Sequence, residues 1–242
     1  MEKNILYCGN AFDVFSEIEN NSVDLVFTDP PYNISKRDKI SMKNRDIRLD
    51  FGEWDYTFDM QRFMKEVYRV LVPQGSLIAW CAEQQIENYC KIGRDLGFTM
   101  KQLLYWEKSN PIPQFRKVGY RQSMELMIWF IKGINSQSNP NWVFLKQEEM
   151  KDVFHHPIVA GANRIFYLDA EGNKITHPTQ KPLEICREII KRHSRNGGVV
   201  LDPFFGTGTI PLAAKLEGRN YIGVENDPLW FAIGRDRISN GD

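Results

Sequence analysis

Val23-Asp24-Leu25-Val26-Phe27-Thr28-Asp29-Pro30-Pro31-Tyr32-Asn33 is the stretch on which the fold turns. An apolar run this short, closed by Asp-Pro-Pro, reads as a buried strand. Strands without polar alternation belong to parallel sheets covered on both faces. A second run of the same build, Val199-Val200-Leu201-Asp202, enters Pro203-Phe204-Phe205-Gly206-Thr207-Gly208-Thr209, a glycine-containing turn ahead of a helical pattern. In all, strands are predicted at residues 4–8, 23–28, 76–80, 100–106, 125–131, 198–201 and 220–224. Between them, Met60, Phe63, Met64, Val67, Val70 and Leu71 recur at helical spacing behind Asp59, a suitable N-cap, and Pro73-Gln74-Gly75 stops the helix. Asp227-Pro228 opens a helix over 229–238, with a capping residue followed by proline at the first helical position. Strands alternating with helices imply βαβ units and an α/β fold with a mostly parallel sheet.

The 242 residues are 42% hydrophobic, 26% charged and 12% aromatic, an ordinary globular composition. Lys plus Arg and Asp plus Glu both total 31, so bulk charge gives no argument for a polyanionic partner, and any such partner must meet a local patch. No run is apolar for the length of a bilayer crossing and the first residues lack a signal pattern, so the chain reads as soluble and cytoplasmic, with no membrane partner. Cys8, Cys81, Cys90 and Cys186 form no CxxC pair or His/Cys cluster; they read as small buried hydrophobes, and no metal is expected.

Two stretches break the rhythm. Residues 33–56 are polar and carry Lys36, Arg37, Lys39, Lys43, Arg45 and Arg48, which suits a mobile loop closing over a site. Residues 133–176 hold Asn139-Pro140-Asn141, His155-His156-Pro157 and Ala170-Glu171-Gly172-Asn173, read as successive turns of an insert. The chain then divides into 1–132, the insert 133–176, and 177–242. His155 and His156, adjacent in a turn, read as surface residues, and they do not suggest a metal because neighbours on an extended chain face opposite ways.

Ligands of open α/β sheets sit at the carboxyl ends of strands, which is where Asp29-Pro30-Pro31-Tyr32 falls. Consecutive prolines fix φ and hold the flanking carboxylate, carbonyls and ring in a rigid array. Such an array suits an amino group on a planar base: Asp29 and the Pro30 carbonyl can accept its two N–H bonds, and Tyr32 offers a ring face. At the second strand end, Gly206 and Gly208 allow close approach of backbone to ligand. Pro211 stands where a dinucleotide fingerprint would need its third glycine, which disfavours a pyrophosphate. Glu225, at the end of the following strand, is placed to accept hydrogen bonds from ribose hydroxyls. Together these favour a nucleoside-type ligand without phosphates.

Taken together the residues resemble the S-adenosylmethionine-dependent amino-methyltransferases of DNA, in the β order in which the catalytic motif precedes the cofactor motif. Asp29, Pro30, Pro31 and Tyr32 resemble its catalytic motif IV. Asp202, Phe204, Gly206, Thr207, Gly208 and Thr209 lie in a stretch resembling motif I, and Glu225 with Asn226 resembles motif II. Gly9-Asn10-Ala11-Phe12 is similar to motif III, His177-Pro178-Thr179-Gln180-Lys181-Pro182 to motif X, and Trp106-Glu107-Lys108-Ser109-Asn110-Pro111 to the segment after strand six. Asn10 departs from the pattern, standing where the family often has an adenine-binding aspartate.

The resemblance implies a circularly permuted, Rossmann-like class I methyltransferase fold with a seven-stranded sheet, one strand antiparallel. It implies S-adenosylmethionine as cofactor, with Asn10, Ala11, Phe12, Asp29, His177, Thr179 and Lys181 joining the motif I and II residues in holding it. It implies double-stranded DNA as partner and direct transfer of methyl to an exocyclic amino nitrogen of a flipped base. Asp at the first motif position resembles the adenine enzymes more than the cytosine-amino ones. Lys36, Arg37, Lys39, Lys43, Arg45, Lys108, Arg116, Lys117 and Arg121 are the expected phosphate contacts, and 133–176 the expected target-recognition region. Attack on a ring carbon would need a cysteine after proline, and none is present. Cytosine amino groups, RNA, a protein glutamine, and a silent DNA- or cofactor-binding subunit stay open as alternatives. A homodimer and a cognate restriction enzyme stay open as partners.

Overall fold

The computed structural model describes residues 2–32, 40–42, 45–47, 58–115, 117–134, 139–177 and 179–241. In chain order they form β1 (Ile5–Cys8), α1 (Ala11–Phe15), β2 (Val23–Thr28), β3 (Ile40–Met42), β4 (Arg45–Ile47), α2 (Met60–Val70), β5 (Leu71–Cys81), α3 (Ile86–Leu96), β6 (Phe98–Lys108), β7 (Met124–Lys132), β8 (Val153–His156), β9 (Phe166–Leu168), β10 (Lys174–Thr176), α4 (Leu183–His193), β11 (Val199–Asp202), α5 (Thr209–Leu216), β12 (Asn220–Glu225) and α6 (Pro228–Asn240).

Eight strands make the main sheet in the order β1-β12-β11-β2-β5-β7-β6-β8. All run parallel except β7, which is antiparallel to both β5 and β6. The seven strands read from the sequence are all present. The eighth corrects the expected count and the reading of 133–176 as turns alone. Val153–His156 pairs with the edge of β6, Tyr105 opposite Val153 and Lys108 opposite His156, while Phe166–Leu168 and Lys174–Thr176 form a small hairpin. Residues 33–56 are likewise not wholly a loop, since β3 and β4 pair antiparallel, Met42 opposite Arg45. The rest of that segment lies outside the described residues.

Every β2 side chain is buried, and its two faces serve two core layers. Val26 packs with Phe15, Phe63, Val67 and Tyr89 beneath α1, α2 and α3. Leu25 and Phe27 pack with Ile185, Ile189, Ile210 and Trp80 beneath α4 and α5. A sheet covered on both faces is the physical reason its strands carry unbroken apolar runs.

The helix ends obey their local signals. Asp59 accepts from the Arg62 N–H at 2.9 Å, capping α2, and Asp227 accepts from Leu229 and Trp230 N–H at 2.8 and 3.1 Å, capping α6. Pro73-Gln74-Gly75 does not end α2. The helix stops at Val70 and the chain passes directly into β5, whose pairing jumps from Leu71 opposite Val23 to Ser76 opposite Leu25. The prolyl-glycyl segment is thus an irregularity inside a strand. Cysteines 81 and 186 are buried, but Cys8 is exposed at the end of edge strand β1, against the expectation of four buried thiols. No helix among the described residues is long and apolar enough to cross a membrane.

Phe27 is fully buried and its ring stacks on Trp80 at 4.9 Å. Phe27→Ala is expected to cost about 3–5 kcal/mol of unfolding free energy, seen as a lower urea midpoint at unchanged slope.

Candidate active site

β11 runs leftward through the sheet into β12, and β2 runs rightward into β5, so the chain diverges between β11 and β2. That is the topological switch point at which such sheets bind ligands. The carboxyl ends of these two strands carry Asp202 and Asp29, and they are joined directly: the Thr28 hydroxyl donates to Asp202 Oδ1 at 2.8 Å.

On the β2 side, the Asp29 carboxylate is held at both oxygens. Tyr32 Oη–H donates to Oδ1, and Lys181 Nζ lies 2.6 Å from Oδ2. Lys181, 8% exposed, also reaches Glu125 Oε2 at 3.4 Å and sits over the Trp80 ring. Lys108 Nζ pairs with Glu125 Oε1 at 2.9 Å. Gln85 braces the motif from below, its amide donating to the Tyr32 carbonyl at 3.0 Å while its oxygen accepts from Ala82 N–H. Pro30 and Pro31 are buried. Burial raises the Asp29 pKa above the ordinary value, and Lys181 and Tyr32 offset this in part. Burial would lower Lys181, yet Asp29 and Glu125 hold it above its usual value.

On the β11 side, Glu225 ties three strand ends together. Its Oε2 accepts from Gly206 N–H and its Oε1 from Asp227 N–H, both at 2.8 Å, while its carbonyl accepts from Gly9 N–H at 2.9 Å. A carboxylate has about four acceptor positions, and with Asn226 N–H also bonding it, at least one lone pair is left for a further donor. Gly206 has φ +50°, and a Cβ there would lie 2.8 Å from His177 Nε2. His177 Nδ1 accepts from Thr179 N–H at 3.3 Å, and its ring meets Trp230 edge-on at 4.8 Å. Burial, with Lys181 and Arg164 nearby, pushes the His177 pKa down to about 4, so the ring is neutral at pH 7 and Nε2 carries its proton. Asp202, 2% exposed, is pushed up to about 8 by burial, against the hydrogen bonds from Thr28 and Phe204 N–H.

The segment 177–182 spans both halves, with His177 against the Gly206 turn and Lys181 against Asp29. Asn10 caps α1, accepting from Phe12 N–H at 2.8 Å, with Ala11 buried behind it and Arg62 over the Phe12 ring. Phe204 packs on Phe58 and Phe63. Thr207 and Thr209 are bound by Arg237, through the Thr207 carbonyl at 3.0 Å and the Thr209 hydroxyl at 2.9 Å. Gly208, at φ +77°, closes the turn, and Asn226 is exposed beside Glu225. These residues fit a nucleoside-bearing cofactor: Glu225 retains acceptor capacity, and space is open beside Gly9, where an added Cβ would meet nothing within 4 Å.

The expected phosphate contacts are only partly visible. Lys36, Arg37, Lys39, Lys43, Arg48 and Arg116 lie outside the described residues, as does Pro178, and Arg45 is described by its backbone in β4. Lys108 is not a free cation, because it is 12% exposed and paired with Glu125. Lys117 and Arg121 lie on the loop from β6 to β7, which leaves the active-site edge and exposes Phe115, Val118 and Tyr120 at 71%, 81% and 99%. His155 and His156 face apart, His155 to Glu107 and His156 to Glu188, each at 2.9 Å. Among the described residues no three His, Cys, Asp or Glu side chains could hold a metal. Sequence reading missed Glu125, Gln85 and Trp80, which carry no local motif.

A family model described as DNA methylase, covering the N6 and N4 enzymes, matches residues 23–233. The chain belongs to this DNA methylase family. It is 32% identical over 247 residues to the type II methyltransferase M.HinfI of Haemophilus influenzae, covering 97% of this chain and 68% of that protein. To M2.MboI of Moraxella bovis it is 30% identical over 245 residues, covering 96% and 86%. Among solved structures, M1.HpyAVI in complex with SAM superposes with a TM-score of 0.70 at 24% identity, covering 96% and 98% of the two chains. The cytosine-N4-specific PvuII DNA methyltransferase superposes equally well, 0.70, at 17% identity, covering 100% of this chain and 94% of that one. The fold is therefore shared with a cytosine-N4-specific enzyme and does not by itself select a base.

Asp202 gives this methylase site a pH signature. Between the ordinary 3.8 and about 8, the folded state keeps a proton that the unfolded chain has lost, so this residue subtracts stability as pH rises through that window. Asp202→Asn preserves the acceptor oxygen for Thr28 and Phe204 but cannot ionise. Its urea midpoint, relative to the parent's, is expected to rise steadily from acid pH toward about 8.

Proposed function

We propose that this DNA methyltransferase, which uses S-adenosylmethionine, methylates the exocyclic N6 of adenine in double-stranded DNA at a short specific sequence. The observation that carries the reading is Asp29-Pro30-Pro31-Tyr32 at the end of β2, joined through Thr28 and Asp202 to the Glu225 and Gly206 strand ends. When bound, the cofactor supplies an electrophilic methyl group on a sulfonium centre. This chain's residues make the amino nitrogen reactive and put it in place.

An adenine amino lone pair is delocalised into the ring and is a weak nucleophile. Asp29 and the Pro30 carbonyl accept the two N–H bonds, which favours a pyramidal nitrogen with its lone pair directed out of the ring plane. Fixed acceptors in a buried site act without reorganising water, and correct placement supplies much of the remaining acceleration. The proton that leaves the nitrogen is taken up at Asp29. Tyr32 gives its ring face to the base, which must leave the duplex stack to reach it.

Glu225 accepts from the ribose hydroxyls. Asn10, Ala11 and Phe12 at the end of β1, and His177 and Thr179 against the Gly206 turn, frame the same nucleoside. Lys117 and Arg121, with the basic residues of 33–56, hold phosphates and so position DNA without reading it. Residues 133–176 read the bases. The first position of the motif, aspartate, supports adenine over cytosine.

Incubation with methyl-labelled S-adenosylmethionine and mixed-sequence duplex DNA, followed by digestion and mass spectrometry, is expected to give N6-methyl-2′-deoxyadenosine. N4-methyl-2′-deoxycytidine would overturn the target while keeping the site, and no product on duplex DNA would overturn the substrate. Asp29→Ala is expected to abolish transfer while sparing DNA binding, and Glu225→Ala to weaken chiefly cofactor binding by calorimetry.

A further inference from the structure

We propose that Glu125 is a positioning residue which, by drawing Lys181 between two carboxylates, keeps Asp29 a strong hydrogen-bond acceptor. The inference rests on the proposed role of Asp29 and adds a residue from a different strand. Four side chains of alternating charge lie in a row: Asp29, Lys181, Glu125 and Lys108, linked at 2.6, 3.4 and 2.9 Å. Their exposures are 16%, 8%, 28% and 12%, so water screens them weakly.

Lys181 paired with Asp29 alone would concentrate its whole charge on that carboxylate and leave it a poor acceptor for a neutral amino group. Glu125 takes part of that charge on its Oε2. Lys108, on its Oε1, limits how far Glu125 can compete. Burial would raise the Glu125 carboxyl, but Lys181 and Lys108 together hold it below the usual value, so it stays anionic and keeps its claim on Lys181. The row exists because β7 returns antiparallel beside β6: Glu125 at the start of β7 comes level with the end of β6, opposite Trp106, and within reach of Lys108. Tyr32 also faces Asp29, and Asp202, Tyr89 and Cys186 lie within electrostatic reach of it. None of these is altered in the variants below.

Opposite substitutions must move Asp29 in opposite directions. In Glu125→Gln, a negative charge near Asp29 is lost and Lys181 turns wholly to it, so the Asp29 pKa falls. In Lys108→Met, a positive charge is lost and Glu125 competes harder for Lys181, so it rises. The direct measurement is a ¹³C NMR titration of aspartate carboxyl carbons in the cofactor-free protein, the Asp29 signal assigned by its loss in Asp29→Asn. Shifts of about one pH unit, tenfold in proton affinity, are expected down in Glu125→Gln and up in Lys108→Met. The acid limb of kcat for DNA methylation is expected to move the same two ways, with KM for DNA little changed. Shifts of one sign in both variants, or none in variants with native circular dichroism, would overturn the proposal. If Glu125→Gln does not fold, the Lys108→Met shift decides alone. Absence of methylation in the parent protein would strike the proposed function and leave the titration to judge the charge row.

Discussion

The Thr28–Asp202 hydrogen bond joins residues 174 positions apart, and the site depends on the neighbourhood it marks. It exists because β11 slots against β2, Val200 beside Leu25 and Leu201 beside Val26. That pairing is enforced by apolar burial: Val26, Leu25, Val200 and Leu201 are each at most 1% exposed. Sliding β11 by one residue would turn its apolar set to the wrong core layer. Register in the interior therefore fixes, at the strand ends, how far the Asp29-Pro30-Pro31-Tyr32 motif lies from the Gly206 turn.

Around that seam, close packing leaves little freedom. The Gly206 turn is clamped by the Glu225 carboxylate from one side and the His177 ring from the other, with 2.8 Å between His177 Nε2 and where a Gly206 Cβ would be. Gly234 of α6 is equally confined, its Cβ position 2.8 Å from the Phe205 ring. The segment 177–182 is held at one end by Trp230 through His177 and at the other by the Asp29 ion pair. Lys181 is a buried cation held by two carboxylates, so losing one leaves it paired with the other.

What could be read in the sequence was what is decided locally. Asp59 and Asp227-Pro228 declare helix starts by their own side chains, and the runs at Val23 and Val199 declare buried strands by being apolar on both faces. β8 could not be read this way, since Val-Phe-His-His is four residues long and becomes a strand only through its pairing with β6. Pro73-Gln74-Gly75 misled because a stop signal for a helix also serves as an irregularity in a strand. The motif residues Asp29, Gly206 and Glu225 fall together as their positions at strand ends require. Lys108 was legible as a cation but not as a buried one, and Glu125 had no signal at all, because its function comes from the antiparallel return of β7.

The two aspartates at the seam show how one sheet edge supports two different tasks. Asp202 is buried and Asp29 largely so, and desolvation pushes both carboxyls upward. Asp202 accepts from a hydroxyl and an amide, those of Thr28 and Phe204, so with a pKa of about 8 it is mostly neutral at pH 7 and serves as a structural bridge to β2. Asp29 has Lys181 at 2.6 Å, a charge that works against burial and favours the carboxylate. Paired carboxyls whose surroundings push them apart are how a protein separates roles between chemically identical groups. Here the separation is made by Lys181, 152 positions downstream of Asp29, on the same short segment that carries His177 to the glycine loop.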